Sequence, residues 1–311
     1  MTRRLVIDTD TASDDAVALL MAVAGPDVEV DAVTVVAGNV PLAQGVKNAL
    51  FTLAFCGAAE VPVHAGLDRP LVRRLGTATD VHGEDGMGDA GIVRSVGEPV
   101  AEHAVDALVR LANEAPGERD LVTLGPLTNV AAALVRDRDL LTKYRRTVMM
   151  AGSPDSVGNV TATAEFNVWA DPEAASIVLN APGEKVLVGW NISRRQAVMG
   201  PAEQQRLATL GTARARFVSD INVKVAEYCR TVTGLDGYDL PDPVTMAVAM
   251  RPELVRRSEK LPVSVALGDE LRGQLIIDHR VAGRAGASAE VVWEIDEQGW
   301  KELLFAACSE D

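Results

Sequence analysis

The chain has 311 residues, of which 48% are hydrophobic, and its net charge at pH 7 is −14. This apolar content supports a large core and excludes global disorder. The acid excess argues against nucleic acid and against anionic membranes as partners, because binding to phosphate backbones requires a basic face. Three widely spaced cysteines form neither a disulfide framework nor a zinc pattern, as in a reducing cytoplasm. With no signal peptide and no apolar stretch as long as a membrane span, we expect a cytoplasmic protein.

The stretch from Leu5 to Met21 begins with an apolar run and continues with a helical pattern. This order is typical of a buried parallel strand that leads into a helix. We expect Ser13 or Asp10 to cap the helix and Gly25-Pro26 to end it. Four carboxylates lie at the junction of strand and helix: Asp8, Asp10, Asp14 and Asp15.

Carboxylates this close together repel one another, so either some are protonated or a cation lies among them. The carboxyl ends of parallel strands are also where open α/β sheets bind their ligands. These two points favour a hard divalent cation held by oxygen ligands. The alternative for Asp14 and Asp15 is that they only complement the dipole at a helix N-terminus.

Strands and helices alternate along the next part of the chain. Predicted strands cover Val28–Ala37, Val61–His64, Asp120–Leu124, Arg146–Ala151 and Lys185–Trp190. Predicted helices cover Pro41–Phe55, Val100–Asn113 and Thr128–Val135, and a further helix starts at Asp171-Pro172. The stretch from Gly66 to Gly97 has no clear period and contains HGEDGMGD, which is typical of a functional or mobile loop.

The last third of the chain changes character. Pro201 to Met250 is mainly helical, with a turn-rich break at Thr233 to Pro243. The tail predicts an antiparallel meander of three strands and a final helix, at Leu261–Leu267, Gln274–Arg280, Ala289–Ile295 and Trp300–Cys308. We therefore predict one α/β domain over residues 1–311, with a mainly parallel central sheet flanked by helices and a small antiparallel C-terminal extension.

Polar residues recur where the predicted strands end. They include Asp8 and Asp10, Asn39, the Leu124-Gly125 pair, the segment Gly158 to Asn167, and Asp242. Carboxylates accept hydrogen bonds from hydroxyls and amides both donate and accept, so the set suits a cation together with a polyhydroxylated ligand. Taken singly, Asn39 also fits a turn and Asp242 a helix N-cap.

The motifs occur together and in a fixed order. The set DTDxxxDDAVALL, VAGN, HGxxGMG, LGPLTN, AEFNVWADPEA and PDP resembles the inosine-uridine nucleoside hydrolases, from Leu5 to about Met250 and more loosely near Gly268. The resemblance implies calcium-dependent hydrolysis of the N-glycosidic bond of ribonucleosides, giving free base and ribose for purine or pyrimidine salvage. It also implies a homodimer or a homotetramer.

The resemblance assigns roles to individual residues. The implied calcium ligands are Asp10, Asp15, Asp242 and the backbone carbonyl of Leu124. Asp8 would support this site from behind, and Asp10 would also take a proton from a calcium-bound water, with Asn39 near that water. The implied contacts of the ribose hydroxyls are Asp14, Asn159, Glu165 and Asn167. His82 and Met150 would lie towards the base or the 5′ side.

The chain departs from the family at three positions. Thr11-Ala12 replaces the usual Pro-Gly, so the turn before the first helix must form without glycine. Asn191 replaces an Asp. Pro241 stands where the best-known members have a His that is their candidate acid for the leaving base. The candidates to stack on the base or protonate it instead are Tyr228, Tyr238, Trp190 and His82. Each of the three aromatic residues fits a buried ring with a satisfied polar tip equally well.

Two other functions fit parts of the sequence. Ile7 to Thr11 satisfies the D-x-D-x-T opening of haloacid dehalogenase-type phosphatases, in which Asp8 would be the phosphorylated nucleophile. Such an enzyme needs a downstream acidic pair, and Gly268-Asp269 lacks the second acid. A non-catalytic nucleoside-binding protein on the same fold is favoured by Thr11-Ala12 and Pro241 and opposed by the intact acidic set. The sequence shows no basic cradle for phosphate, which favours a nucleoside over a nucleotide.

Overall fold

The computed structural model describes residues 2–280 and 288–310. Its strands are β1 (Arg3–Thr9), β2 (Val28–Val35), β3 (Val63–Ala65), β4 (Arg119–Thr123), β5 (Arg146–Met150), β6 (Lys185–Val188), β7 (Val198–Met199), β8 (Tyr238–Asp239), β9 (Val255–Leu261), β10 (Val263–Val265), β11 (Leu275–Ile277) and β12 (Ala289–Ile295). Eight of them form the central sheet, in the order β3-β2-β1-β4-β5-β6-β12-β9. All neighbours in this sheet are parallel except β12 and β9, which are antiparallel at one edge.

Helices cover both faces of this sheet. They are α1 (Ser13–Ala24), α2 (Leu42–Phe55), α3 (Thr79–His82), α4 (Ala104–Glu114), α5 (Thr128–Arg136), α6 (Leu140–Lys143), α7 (Phe166–Ala170), α8 (Pro172–Asn180), α9 (Trp190–Gln196), α10 (Pro201–Leu210), α11 (Ala213–Ile221), α12 (Val223–Tyr228), α13 (Pro241–Met250) and α14 (Glu297–Cys308). A π-helical segment, Cys229–Thr233, continues α12. Short 3₁₀ turns lie at Pro252–Leu254 and Asp269–Leu271. No helix in the described ranges is long and apolar enough to cross a membrane.

The apolar run of β1 explains its central position. Leu5, Val6 and Ile7 are all fully buried. Since side chains alternate along a strand, Leu5 and Ile7 join the core on one face of the sheet while Val6 joins the core on the other. Burying each such side chain contributes about 1.5–3 kcal/mol. A strand that is apolar on both faces is stable only in the sheet interior.

The predicted α/β architecture with a mainly parallel sheet is confirmed, but two local predictions are wrong. Ser13 and Asp10 do not cap α1. Ala12 occupies the N-cap position, and its N–H donates to the Asp15 carboxylate at 2.9 Å. Asp15, in the first turn, therefore accepts a backbone N–H at the start of the helix.

The three-strand meander predicted for the tail is also wrong. β10 and β11 form an antiparallel hairpin, whereas β12 joins the central sheet between β6 and β9. Val291 and Val292 are both fully buried, on opposite faces of the sheet. Two successive buried side chains need cover on both faces, and the central sheet provides it while an exposed hairpin does not.

Candidate active site

A cavity of about 260 Å³ lies at the carboxyl edge of the parallel sheet. Its wall includes all six residues predicted to bind substrate, Asp14, His82, Met150, Asn159, Glu165 and Asn167, together with Asn39 and the predicted metal ligands Leu124 and Asp242. Asp10 and Asp15 are fully buried and lie behind this wall. The strand ends thus bring together residues that are far apart in the sequence, as the parallel topology predicted.

Three carboxylates converge beside the cavity. Asp14 and Asp15 occupy the first turn of α1, and Asp242 occupies the first turn of α13. The two helices pack against each other, and carboxylate oxygens of the three residues lie within 4.8 Å of one another. Asp242 makes no N-cap hydrogen bond, which removes the alternative of a plain helix cap. This acidic cluster could hold a metal ion.

The turn between β1 and α1 fixes Asp15. The Thr9 hydroxyl donates to its Oδ1 at 2.5 Å, and the Ala12 N–H donates to its Oδ2. Burial, together with the charge of Asp14, raises the pKa of Asp15 to about 6. Among the described residues, Asp89 and Ser156 are the non-glycine residues with positive φ, so the turn at Thr11 and Ala12 needs no glycine.

Asp10 is enclosed by the backbone at the ends of neighbouring strands. The Asn39 N–H donates to its Oδ2 at 2.6 Å. A Cβ on Gly125 would lie 2.7 Å from Oδ1, and a Cβ on Gly38 would collide with the same carboxylate. Burial and the charge of Asp15 raise the pKa of Asp10 well above its ordinary value. The glycines of the VAGN and LGPLTN motifs therefore make room for this side chain.

Asp8 lies one layer deeper. Its Oδ2 accepts hydrogen bonds from Thr34 Oγ1 at 2.6 Å and Asn129 Nδ2 at 2.9 Å, and burial raises its pKa to about 7. Asp8 is fully buried and its Oδ2 is engaged by Thr34 and Asn129, which suits a residue that supports the site better than a phosphorylated nucleophile. Asp269 is 92% exposed and pairs with Arg73. Both observations contradict the phosphatase alternative.

The donor set fits a hard cation. Within the described part of the chain, no hydrogen-bond partner reaches Oδ1 of Asp8, Asp10 or Asp14, and all three atoms are buried. Buried carboxylate oxygens without partners are costly unless a positive charge compensates them. The Leu124 carbonyl accepts from Asn167 Nδ2 at 2.6 Å and keeps a second lone pair for a ligand. Carboxylate and carbonyl oxygens of this kind suit calcium.

A second group of polar residues is held rigidly beside the cluster. Glu165 is the N-cap of α7, and its two oxygens accept the N–H groups of Asn167 at 2.7 Å and Gly152 at 2.6 Å. Burial raises the pKa of Glu165 to about 7. Asn159 Oδ1 accepts the Phe166 N–H at 3.0 Å. These contacts fix the orientation of the residues expected to meet the ribose hydroxyls.

Another part of the cavity wall is formed by α3, α9, α12 and β8. His82, at the end of α3, shares a hydrogen bond of 2.8 Å between its Nδ1 and Ser13 Oγ, and the same Nδ1 lies 3.8 Å from Asp14 Oδ1. Burial lowers the pKa of His82 to about 4, so the ring is neutral near pH 7. Trp190 and Tyr228 also line the cavity. Tyr238 does not: it is buried in the core, which contradicts its predicted contact with the base.

Asp239 is a cavity residue that the sequence patterns did not single out. It is 8% exposed, lines the cavity beside Pro241, and accepts the Trp190 Nε1–H at 2.9 Å. The only sequence signal was an acid within the turn-rich break, which Asp236 shares. Asn191, by contrast, does not line the cavity and donates to the Val292 carbonyl at 3.2 Å, so this departure from the family joins α9 to β12.

Similarity to known proteins agrees with this geometry. Residues 5–302 match the family described as inosine-uridine preferring nucleoside hydrolase. The chain belongs to this family. The predicted resemblance is therefore confirmed, and this nucleoside hydrolase is an N-ribosyl hydrolase.

Individual relatives match along nearly the whole length. The inosine-uridine preferring nucleoside hydrolase of Crithidia fasciculata is 33% identical over 310 residues and covers 98% of both chains. The pyrimidine-specific ribonucleoside hydrolase RihA of Photobacterium profundum is 32% identical over 305 residues, again with 98% of both chains covered. A solved plant nucleoside hydrolase superposes with a TM-score of 0.93 at 30% identity over 100% of both chains.

Proposed function

We propose that this nucleoside hydrolase uses calcium to cleave the N-glycosidic bond of ribonucleosides and releases free base and ribose. The observation that carries the proposal is an acidic cluster in the wall of a cavity of about 260 Å³. Among the described residues, those that line the cavity include no Lys and no Arg. A nucleotide phosphate would find no basic partner there, so an uncharged ribonucleoside is the better substrate.

The proposed calcium ligands are Asp10, Asp15, Asp242 and the Leu124 carbonyl, with Asp14 as their close neighbour. When bound, calcium lowers the pKa of water and orients it. Asp10 accepts the proton of the attacking water at Oδ1, because its Oδ2 is already engaged by the Asn39 N–H. This general-base role needs an ionised Asp10, and a cation among the carboxylates favours that form.

The ribose is held by groups of complementary hydrogen-bonding character. Asp14 and Glu165 accept from the hydroxyls, and Asn159 and Asn167 place amides beside them. The sugar becomes positively charged and oxocarbenium-like as the bond breaks, and the nearby carboxylates stabilise that charge. Met150 packs beside Asn167 and closes the wall on this side.

The test is a panel of purine and pyrimidine ribonucleosides, assayed for free base and for reducing sugar with and without a calcium chelator. A panel is needed because the relatives' names include both a pyrimidine-specific enzyme and one preferring inosine and uridine. We expect equimolar base and ribose from at least one substrate, loss of turnover on chelation, and recovery with added calcium. Turnover that is insensitive to the chelator would rule out the metal-dependent mechanism.

A further inference from the structure

Position 241 cannot supply the proton that the leaving base gains. Pro241 has no ionisable group and, as proline, no N–H. Of the candidates suggested by the sequence, Tyr238 lies in the core and His82 is neutral because burial lowers its pKa to about 4. Burial raises the pKa of Tyr228, which makes its hydroxyl a weaker acid. A different group is needed to assist departure of an ordinary base.

Asp239 is placed for this task. It lies in β8, two positions before Pro241, and reaches the cavity wall. Trp190 Nε1–H donates to Oδ2 at 2.9 Å, and Cys229 Sγ lies 3.5 Å from Oδ1. The indole of Trp190 also lines the cavity, so the carboxyl group is held beside an aromatic surface on which a base can stack. Neither of its contacts involves a proposed calcium ligand.

We propose that Asp239 is the general acid that protonates the departing base, replacing an acid at position 241. This inference rests on the N-glycosidic hydrolysis proposed above. Burial raises the pKa of the Asp239 carboxyl, which keeps a larger fraction protonated near neutral pH. A carboxyl group retained in its acid form by burial is a known arrangement for general-acid catalysis.

The proposed step conserves atoms and electrons. When the bond between C1′ and the base breaks, its electron pair passes to the base, and the Asp239 proton moves to a nitrogen or oxygen of that base. The water oxygen bonds to C1′ and its proton passes to Asp10. Proton exchange with solvent then returns Asp10 to carboxylate and Asp239 to acid. The sum is nucleoside plus water giving base plus ribose.

Other titratable groups face Asp239 from the neighbouring elements. They are Asp14 of α1, Asp80 and His82 of α3, Cys229 of the π-helical segment and Arg194 of α9, whose guanidinium lies 5.9 Å from the Trp190 ring centre. Arg194 is paired with Asp155, and burial raises the pKa of Cys229 to about 12. Neutral His82 and the thiol of Cys229 leave Asp239 without a strong cationic partner on this side. The charge of Asp14 further disfavours a second carboxylate.

The experiment compares two classes of substrate in the calcium-loaded enzyme. Natural nucleosides such as uridine and inosine need a proton on the leaving base, whereas p-nitrophenyl riboside releases a stable anion. We expect Asp239→Asn to lower kcat on nucleosides by about 10²-fold or more and to leave p-nitrophenyl riboside within about threefold. Asn keeps an acceptor for Trp190. The matched control is Asp236→Asn, an exposed acid three positions upstream.

The pH dependence separates acid catalysis from a structural role. In the unmodified enzyme, kcat on nucleosides should fall as the pH rises and Asp239 loses its proton, and kcat on p-nitrophenyl riboside should not. Asp239→Asn should lose that fall. Equal losses on both substrates, a change in KM alone, or the same fall with rising pH in Asp239→Asn would overturn the proposal.

Two further outcomes are informative. If Asp239→Asn does not fold, the pH profiles of the unmodified enzyme on the two substrate classes decide whether Asp239 acts as the acid. A fall in kcat with rising pH that both classes share overturns the acid role. If the unmodified enzyme hydrolyses neither class, the underlying function fails and this inference fails with it. If the unmodified enzyme hydrolyses both classes and Asp239→Asn hydrolyses them equally well, only the role of Asp239 is rejected.

Discussion

The site contains two groups of residues that are held in different ways. Asp15, Asp10 and Glu165, the backbone-held group, each accept hydrogen bonds from backbone N–H groups at the ends of strands and helices. His82 and Asp239, the side-chain-held group, are held by Ser13 and Trp190. The first group keeps its partners as long as the strands and helices keep their positions. The second group depends on side chains that substitution can replace.

This difference bears on two of the positions where the chain departs from its family. Thr11-Ala12 precedes the backbone-held Asp15, and the hydrogen bonds to Asp15 form without a glycine there. Pro241 follows Asp239 of the side-chain-held group by two positions, and both residues line the same cavity. Backbone hydrogen bonds persist when side chains are exchanged, whereas a contact between two side chains is lost when either one is replaced.

The largest expected effect is that of Asp10→Asn in the backbone-held group. The amide keeps an acceptor for the Asn39 N–H but cannot take a proton, so we expect kcat to fall by at least about 10²- to 10⁴-fold. Circular dichroism should show an unchanged fold. The measurement is single-turnover base release with calcium present. Near-normal kcat in a folded variant would exclude Asp10 as the general base.

Calcium removal should produce the next largest effect, and it should depend on pH. Burial raises the pKa of Asp14 to about 7 and that of Asp15 to about 6, above about 3.9 in the unfolded chain. Between about pH 4 and pH 7 the calcium-free folded chain therefore binds more protons than the unfolded chain, and its stability falls as the pH rises through this window.

The test is thermal unfolding with a chelator at about pH 5 and about pH 7.5, repeated with saturating calcium. We expect a lower Tm at the higher pH without calcium, and a larger gain from calcium there, because the ion favours the ionised carboxylates. A calcium-free Tm that rises across this range would contradict the raised pKa values.

Glu165→Gln should have an intermediate effect. The two Glu165 oxygens accept backbone N–H groups of Asn167 and Gly152, and glutamine places an NH₂ group against one of them. We expect a loss of about 1–3 kcal/mol in the free energy of unfolding, together with a higher KM. Chemical denaturation and steady-state kinetics measure the two quantities. Asn159→Ala serves for comparison, because it removes a single accepted backbone N–H.

Ser13→Ala, which removes the partner of His82 in the side-chain-held group, should have the smallest effect. The lost hydrogen bond to His82 Nδ1 has a net contribution to stability of about 0.5–1.5 kcal/mol. We expect a small decrease in Tm and a change in the relative kcat/KM of purine and pyrimidine nucleosides rather than a general loss. A fall in kcat as large as that of Asp10→Asn would show that the two groups do not differ as described.

Local patterns in the sequence were sufficient for much of the fold and part of the site. The β1–α1 unit and its four acids follow from periodicity and from residues that are neighbours in the chain. The positions of Asn39 and Glu165 near the acids follow from the rule that parallel strands end at one edge. The assignment of Asp10 as base and of calcium as the ion stays a prediction that the experiments above test.

Only the tertiary structure decided the rest. Packing of α13 on α1 brings Asp242 to Asp14 and Asp15, and no local pattern contains a contact between such distant segments. Tyr238 and Asp239 are adjacent in β8, yet the first lies in the core and the second reaches the cavity. Successive strand residues point to opposite sides. Which side meets the substrate depends on the elements that pack around β8, and those come from elsewhere in the chain.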